Sequence, residues 1–205
     1  MNTARYTLTF KKGCLALAML AYSTMASAIT LSISPGSQTI GISDTVDIAV
    51  VISGLGDFMA DSLGTYDLNI SYDSTVLTFQ SATFGDSILG DQLDLFGLGS
   101  ITADIPGSDV VEVYEVSLDS PSDLDSLQPG TFELVTLSFS ANAVGVSSID
   151  ISVIDLGDAN GYLLSTSTIN GGTITVSAVP IPAAVWLFYS GLLGLIGIAK
   201  RKKVA

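Results

Sequence analysis

Short runs in which every second residue is apolar, interrupted about every ten residues by Gly, Pro, Asp or Ser, narrow this chain to folds built of β-strands. In 46–52 (VDIAVVI), Val46, Ile48, Val50 and Ile52 fall on one side of an extended segment, because strand side chains alternate between faces. The same pattern predicts strands over 29–34 (ITLSIS), 66–71 (YDLNIS), 76–79 (VLTF), 149–154 and 172–176, with a turn at Asp73-Ser74. In 110–118 (VVEVYEVSL), Val111 and Val113 take one face and Glu112 the other. The run 132–139 (FELVTLSF) carries large residues on both faces and predicts a central strand. No long stretch keeps the helical period. The expected fold is all-β, an antiparallel jelly-roll-type sandwich over residues 29–178, with a barrel as the alternative.

Two stretches depart from the alternation. Residues 84–105 are Gly-rich yet carry Ile88, Leu89, Leu93, Leu95, Phe96 and Leu98. A loop so apolar must pack on something, and the rim of the core is the expected place, with a partner as the alternative. Ser122–Leu127 (SDLDSL) reads as one capped helical turn, ended by Pro129-Gly130.

Charge divides the chain into three. Between Gly13 and Ala199 there is no Lys, Arg or His, while all twenty carboxylates lie between Asp44 and Asp158. At the start, Arg5, Lys11 and Lys12 precede the apolar stretch 13–22, and Ala26-Ser27-Ala28 offers small residues to a signal peptidase. A signal peptide over 1–28 is therefore expected, cleaved before Ile29. An uncleaved anchor is the alternative. Cleavage removes Cys14, the only cysteine, so disulfides are excluded from the mature domain.

At the other end, residues 179–205 combine Val179-Pro180-Ile181-Pro182, an uncharged apolar run over 183–199 and the cations Lys200, Arg201, Lys202 and Lys203. At a rise of about 1.5 Å per residue the apolar run reaches roughly 25 Å, slightly short of a hydrocarbon core of about 30 Å. Snorkelling lysines close such a gap, and Trp186, Phe188 and Tyr189 suit the opposite interface. A transmembrane helix over 183–199 is expected, with the cations cytoplasmic and the acidic domain outside.

This tail resembles the PEP-CTERM sorting signal of Gram-negative bacteria. Val179–Pro182 stands where that family has Val-Pro-Glu-Pro, Ile181 replacing the Glu, and Ala183-Ala184-Val185-Trp186 matches a common variant. The resemblance implies processing by the membrane protease-transpeptidase exosortase. It also implies passage from the inner membrane to the cell surface or the exopolysaccharide matrix.

The middle of the chain resembles the cohesin-like family. Val46–Ser53 with Gly54-Leu55 looks like that family's first long strand and bend. Ile70–Leu77 (ISYDSTVL) is similar to its Tyr-Asp-Pro-x-Val-Leu signature with Ser74 in place of Pro. Gly130-Thr131-Phe132, Leu137-Ser138-Phe139, Gly145 and Asn170–Val176 fit its later strands. The resemblance implies a nine-stranded jelly-roll sandwich related to carbohydrate-binding modules, and cellulosomal members bind dockerin. Asp67 falls where those members have a dockerin-contacting Asp, while Thr65 stands in place of their Asn.

The chemistry open to the domain is set by what it lacks. Without His, Cys, Lys or Arg there is no Ser-His dyad, no thiol nucleophile and no Schiff-base lysine. Only a carboxylate-based glycosidase remains as an enzymatic alternative. An enzyme is not expected, and no catalytic or metal residues are assigned. No cofactor is required. Ca²⁺ is the ion such oxygen-rich turns suit, and Asp155, Asp158 and Asn160 form the best local set, followed by Asp57 with Asp61 and by Asp119, Asp123 and Asp125. As plain turn residues the same carboxylates need no metal. The acidic surface repels nucleic acid, so none is expected as a partner.

The expected function is a non-catalytic binding or adhesion module for exopolysaccharide or a matrix protein. The alternative is an acidic matrix protein cross-linked by Ca²⁺ without a specific ligand. Absence of Trp from 29–178 weighs against sugar stacking.

Overall fold

The computed structural model describes residues 28–178 together with 188, 190 and 191. From Thr45 to Ser53 the alternation Val46, Ile48, Val50, Ile52 is buried at every second position, as a strand covered on one face requires. Within residues 28–178, eleven strands and one short helix follow in order. They are β1 (Ile29–Ser34), β2 (Ser37–Gly41), β3 (Thr45–Ser53), β4 (Leu63–Ser71), β5 (Leu77–Phe84), β6 (Ile101–Pro106), β7 (Val110–Val116), α1 (Pro121–Leu127), β8 (Thr131–Ala141), β9 (Gly145–Asp158), β10 (Thr166–Asn170) and β11 (Gly172–Ser177). They form two sheets, ordered β10-β1-β3-β8-β5 and β2-β11-β9-β4-β7-β6.

The sandwich is all-β, but its sheets are mixed, which corrects the expected antiparallel arrangement. β1 pairs in parallel with β10, and β11 in parallel with β2. Each parallel pair sits at a sheet edge, joined through long connections that the local pattern does not reveal.

Apolar side chains from the two inner faces make one core. Leu31, Ile48, Val50 and Leu137 come from the first sheet, and Leu68, Ile70, Val113 and Ile149 from the second. Phe139 anchors one part, with Tyr72 at 5.0 Å and Phe79 at 5.8 Å in edge-on contact. β8 lies between β3 and β5, inside its sheet as expected, yet its outer face is not apolar. A register shift opposite Val50 and Val51 lets both Leu134 and Val135 turn inward, leaving Glu133, Thr136 and Ser138 on the outside.

The two ends of the sandwich differ. Loops 54–62, 85–100 and 117–130 gather at the end where β3 stops and β8 begins, since Ser53 pairs with Thr131 and Thr65 with Val116. β11 finishes at the opposite end, with Val176 beside Gly145. Gly54 turns the chain out of β3 at a φ of +85°, and a Cβ there would lie 2.4 Å from the Ala28 carbonyl oxygen. Only glycine fits that crossing. In α1, the Ser120 hydroxyl caps the Asp123 amide at 3.3 Å, two residues before the expected start, and Pro121 opens the turn.

The apolar loop divides. Leu93 is buried in the core as the rim reading expects, whereas Ile88, Phe96 and Leu98 remain exposed. Leu95 is tied down through its amide, which donates to Asp119 Oδ2 at 2.7 Å.

Candidate protein-docking face

Tyr66, Leu68 and Ile70 of β4 point into the core, so Asp67 and Asn69 point out. Asp67 stands opposite Tyr114 of β7 on one side and Asp155 of β9 on the other. Asn69 faces Glu112 and Ser152 in the same way. Next to β7, edge strand β6 sets Ile101 against Val116 and Ile105 against Glu112, and cross-strand partners share a face. The outer face of β9-β4-β7-β6 therefore runs from a carboxylate-rich middle to an apolar margin. Ile101, Ile105 and Val116 are all exposed along that margin.

At the middle of this face one oxygen is out of place. Asp67 Oδ1 is shut away from solvent and has no hydrogen-bond partner. Desolvation first, then the neighbouring Glu112 and Asp155, raise the Asp67 carboxyl above its ordinary range. A buried acceptor left unsatisfied costs about 1–3 kcal/mol. Thr65 is committed within the sheet, its hydroxyl donating to the Glu115 carbonyl at 3.0 Å.

Directly beneath lies a polar cluster that the core encloses. Glu115, whose alternation with Val111 and Val113 places it on the inner face, is fully buried. Tyr66 Oη donates to its Oε2 at 3.1 Å and Ser100 Oγ to its Oε1 at 2.5 Å. Burial, and then a hydrogen bond with Asp91, push the Glu115 carboxyl up to about 8 against the lowering effect of the Ser100 and Tyr66 hydroxyls. Burial likewise raises Tyr66, with Glu115 adding to it.

Gln128 makes the second internal clasp. Its Oε1 accepts from the Leu63 amide at 2.6 Å, and its Nε2 donates to the carbonyls of Leu63 at 3.1 Å and Gln92 at 2.9 Å. One side chain thus joins β4, loop 85–100 and the end of α1.

The outer face of the first sheet is different again. A groove of about 470 Å³ there is lined by Asp47, Ser81, Thr83, Glu133 and Asp86 among others, with Phe84 as its aromatic member.

The residues singled out from sequence fall as follows. Ala28 is exposed immediately before β1. The rest of the signal peptide with Ala26, the motif Val179, Pro180, Ile181 and Pro182, and the cations Lys200, Arg201, Lys202 and Lys203 lie outside the described residues. The expected helix over 183–199 lies outside them too, apart from positions 188, 190 and 191. Among the described residues no helix is long and apolar enough to cross a membrane.

Of the Ca²⁺ candidates, Asp158 Oδ1 accepts the amides of Asn160 and Tyr162, both at 2.8 Å, so it closes the turn after β9. Asp155 sits away from it, on the outer face opposite Asp67. Asp57 Oδ1 accepts the Gly130 amide, and Asp125 Oδ1 the Ser62 hydroxyl. Among the described residues no three acidic, His or Cys side chains gather closely enough to hold a metal ion. Gln128 and Ser100 were not legible as site residues. For Glu115 the signal was present, because the alternation that buries Val111 and Val113 also buries the position two further on.

No protein-family model matches the sequence, and no curated protein sequence does. Solved structures do. CaCohA2, a cohesin from Clostridium acetobutylicum, matches with a TM-score of 0.56 at 20% identity, covering 77% of this chain and 95% of that one. The fold is cohesin-like. A non-cellulosomal cohesin from the hyperthermophilic archaeon Archaeoglobus fulgidus gives a TM-score of 0.55 at 19% identity, over 74% of this chain and 92% of that one. A type I cohesin–dockerin complex from Clostridium thermocellum gives 0.57 at 14% identity, over 73% and 99%.

Proposed function

We propose that this chain is an exported surface protein whose cohesin-like sandwich is a non-catalytic protein-docking module, using the outer face of β9-β4-β7-β6. The observation that carries the reading is the apolar margin of exposed Ile101, Ile105 and Val116 beside half-buried Asp67, which lies between Tyr114 and Asp155. A partner fits if it brings a hydroxyl, amide or cationic donor to Asp67 and apolar side chains to Ile101, Ile105 and Val116. Donor and apolar margin together give the anchored centre and water-excluding surround of a protein interface. That one cohesin of similar fold is seen with a dockerin supports a protein partner of that kind. The face lacks the exposed aromatic platform that stacks sugars, since Tyr114 is half-buried and residues 28–178 hold no Trp.

Surface plasmon resonance against purified dockerins and matrix proteins of the host tests this. Saturable binding should weaken about tenfold or more in Asp67→Ala and in Ile105→Asp, and hold in Asp47→Ala on the opposite sheet. Binding to polysaccharide alone, or loss only with Asp47→Ala, would move the site to the groove of the first sheet. For export, the reading rests on Ala26, Ala28, Val179–Pro182 and Lys200–Lys203. Intact mass of the native protein is expected to show a start at Ile29 and an end near Pro180–Pro182. An intact Ala205 would replace sorting with simple anchoring.

A further inference from the structure

The two outer faces of the sandwich differ in kind, and the one opposite the docking face carries a grid of hydroxyls. On β3, β8 and β5 the inward positions are apolar, so the outward ones fall into rows across the strands. Asp47 stands beside Ser138, and Ser138 beside Ser81. The next row sets Thr136 beside Thr83. Neighbouring strands lie about 4.8 Å apart and alternate residues about 6.7 Å, which fixes the spacing of the grid. One row away the hydroxyls are taken, since Ser140 Oγ accepts from Gln80 Nε2 at 3.0 Å and Thr78 Oγ1 accepts from Asn142. Thr136 is engaged as well, donating to Glu133. The Asp47 carboxylate and the hydroxyls of Ser81, Thr83 and Ser138 hold no hydrogen bond among the described residues. These two rows floor the groove of about 470 Å³ on this sheet, which follows β5 from Ser81 to Phe84 and on to Asp86. That size falls within the range of about 300–1,000 Å³ usual for ligand sites.

We propose that this groove binds a neutral glycan chain. A sugar chain presents a run of hydroxyls, each able to donate to a carboxylate and to donate to or accept from a Ser or Thr. The receiving side chains are short, so little rotamer freedom is lost in ordering them. Phe84, half-buried at the end of β5, adds one apolar surface for a ring face. Recognition runs through hydrogen bonds rather than stacking, so the absence of Trp from 29–178 does not count against it. Charge narrows the sugar. Asp47, Asp86 and Glu133 line the groove and no cation occurs in 29–178, so a glycan with acid groups is repelled. A protein partner suits the groove poorly, because none of its lining residues is an exposed large apolar side chain of the kind that anchors protein interfaces.

Affinity electrophoresis of the full chain tests this, because a net charge of −13 drives it through a native gel. The gels are cast with hydroxyethyl cellulose, mixed-linkage β-glucan, dextran or galactomannan as neutral probes, and with alginate as the acidic one. Retardation is expected in at least one neutral gel and not in alginate. Ser138→Leu, which fills the groove floor, and the double variant Ser81→Ala/Thr83→Ala, which only removes hydroxyls, should each weaken it about tenfold. Asp150→Ala, which removes a carboxylate from the exposed face of β9, should be retarded as the wild type is. All these side chains point outward, and an unchanged Tm shows that lost binding is not lost folding. Free passage through all four neutral gels, equal retardation in alginate, or full retardation of both groove variants would overturn the proposal. Protein docking uses the other sheet, so either reading can fail while the other stands.

Discussion

Replacing Gln128 by Leu should destabilise the loop end of the sandwich. The side chain is almost wholly buried, at 1% exposure, and satisfies the Leu63 amide and the carbonyls of Leu63 and Gln92. Leucine fills similar space, so little is lost to a cavity. Three buried backbone groups would instead be left without partners, each at a cost of about 1–3 kcal/mol. Relaxation and shared water keep such costs from adding fully, so the expected loss is about 3–5 kcal/mol, a large part of a typical 5–15 kcal/mol stability. The backbone contacts of the same residue survive, since its amide still reaches the Leu124 carbonyl and its carbonyl still accepts from Phe58. Urea unfolding at pH 7, read at the midpoint with an unchanged slope, measures the loss. Gln128→Glu sharpens the test. It keeps the acceptor for Leu63 but turns a carboxylate oxygen toward two carbonyls, so it should recover stability as the pH falls and the new group protonates. A loss under about 1 kcal/mol in Gln128→Leu would refute the reasoning, because three buried groups would then have found other partners.

Other outcomes follow from the same contacts. Ser120→Ala removes the N-cap of α1 and should cost about 1 kcal/mol in urea, with Ser120→Asp restoring most of it. Glu115 titrates at about 8 in the folded chain against an ordinary 4.5, so the folded state holds the extra proton between those values. Its contribution is complete below about pH 4.5 and lost as the pH rises to about 8; Glu115→Gln should therefore lose less stability than the wild type between pH 5 and pH 9. Melting temperature should rise no further in millimolar Ca²⁺ than at matched ionic strength, because Asp57, Asp125 and Asp158 already serve hydrogen bonds of the fold. A Ca²⁺-specific rise would show a site that these contacts do not predict.

Strands with a buried face were legible, and most edge strands were not. The alternation predicted β1, β3, β4, β7, β8, β9 and β11 within a few residues, and part of β5. β2, β6 and β10 passed unnoticed, and all three are sheet edges. β6 is exposed at five of its six positions, so nothing selects apolar residues at every second place. Missing β6 also hid the apolar margin of the β9-β4-β7-β6 outer face, which exists only because Ile101 and Ile105 pair with β7. Asp67 was noticed through a family likeness. The raised pKa of its carboxyl owes part to Glu112 and Asp155, forty-five and eighty-eight positions further along the chain.

What the sequence determined by itself is whatever acts between near neighbours. That covers the period-two strands, a helical turn within 122–127, the bend at Gly54, and an acidic domain without His, Cys, Lys or Arg. The tertiary structure alone decided the strand order and the two parallel edges. It also decided that Glu115, among twenty carboxyl groups, is sealed inside and that Asp67 Oδ1 is buried without a hydrogen bond. Those outcomes depend on desolvation and on pairings between distant segments, and a local pattern carries no record of either.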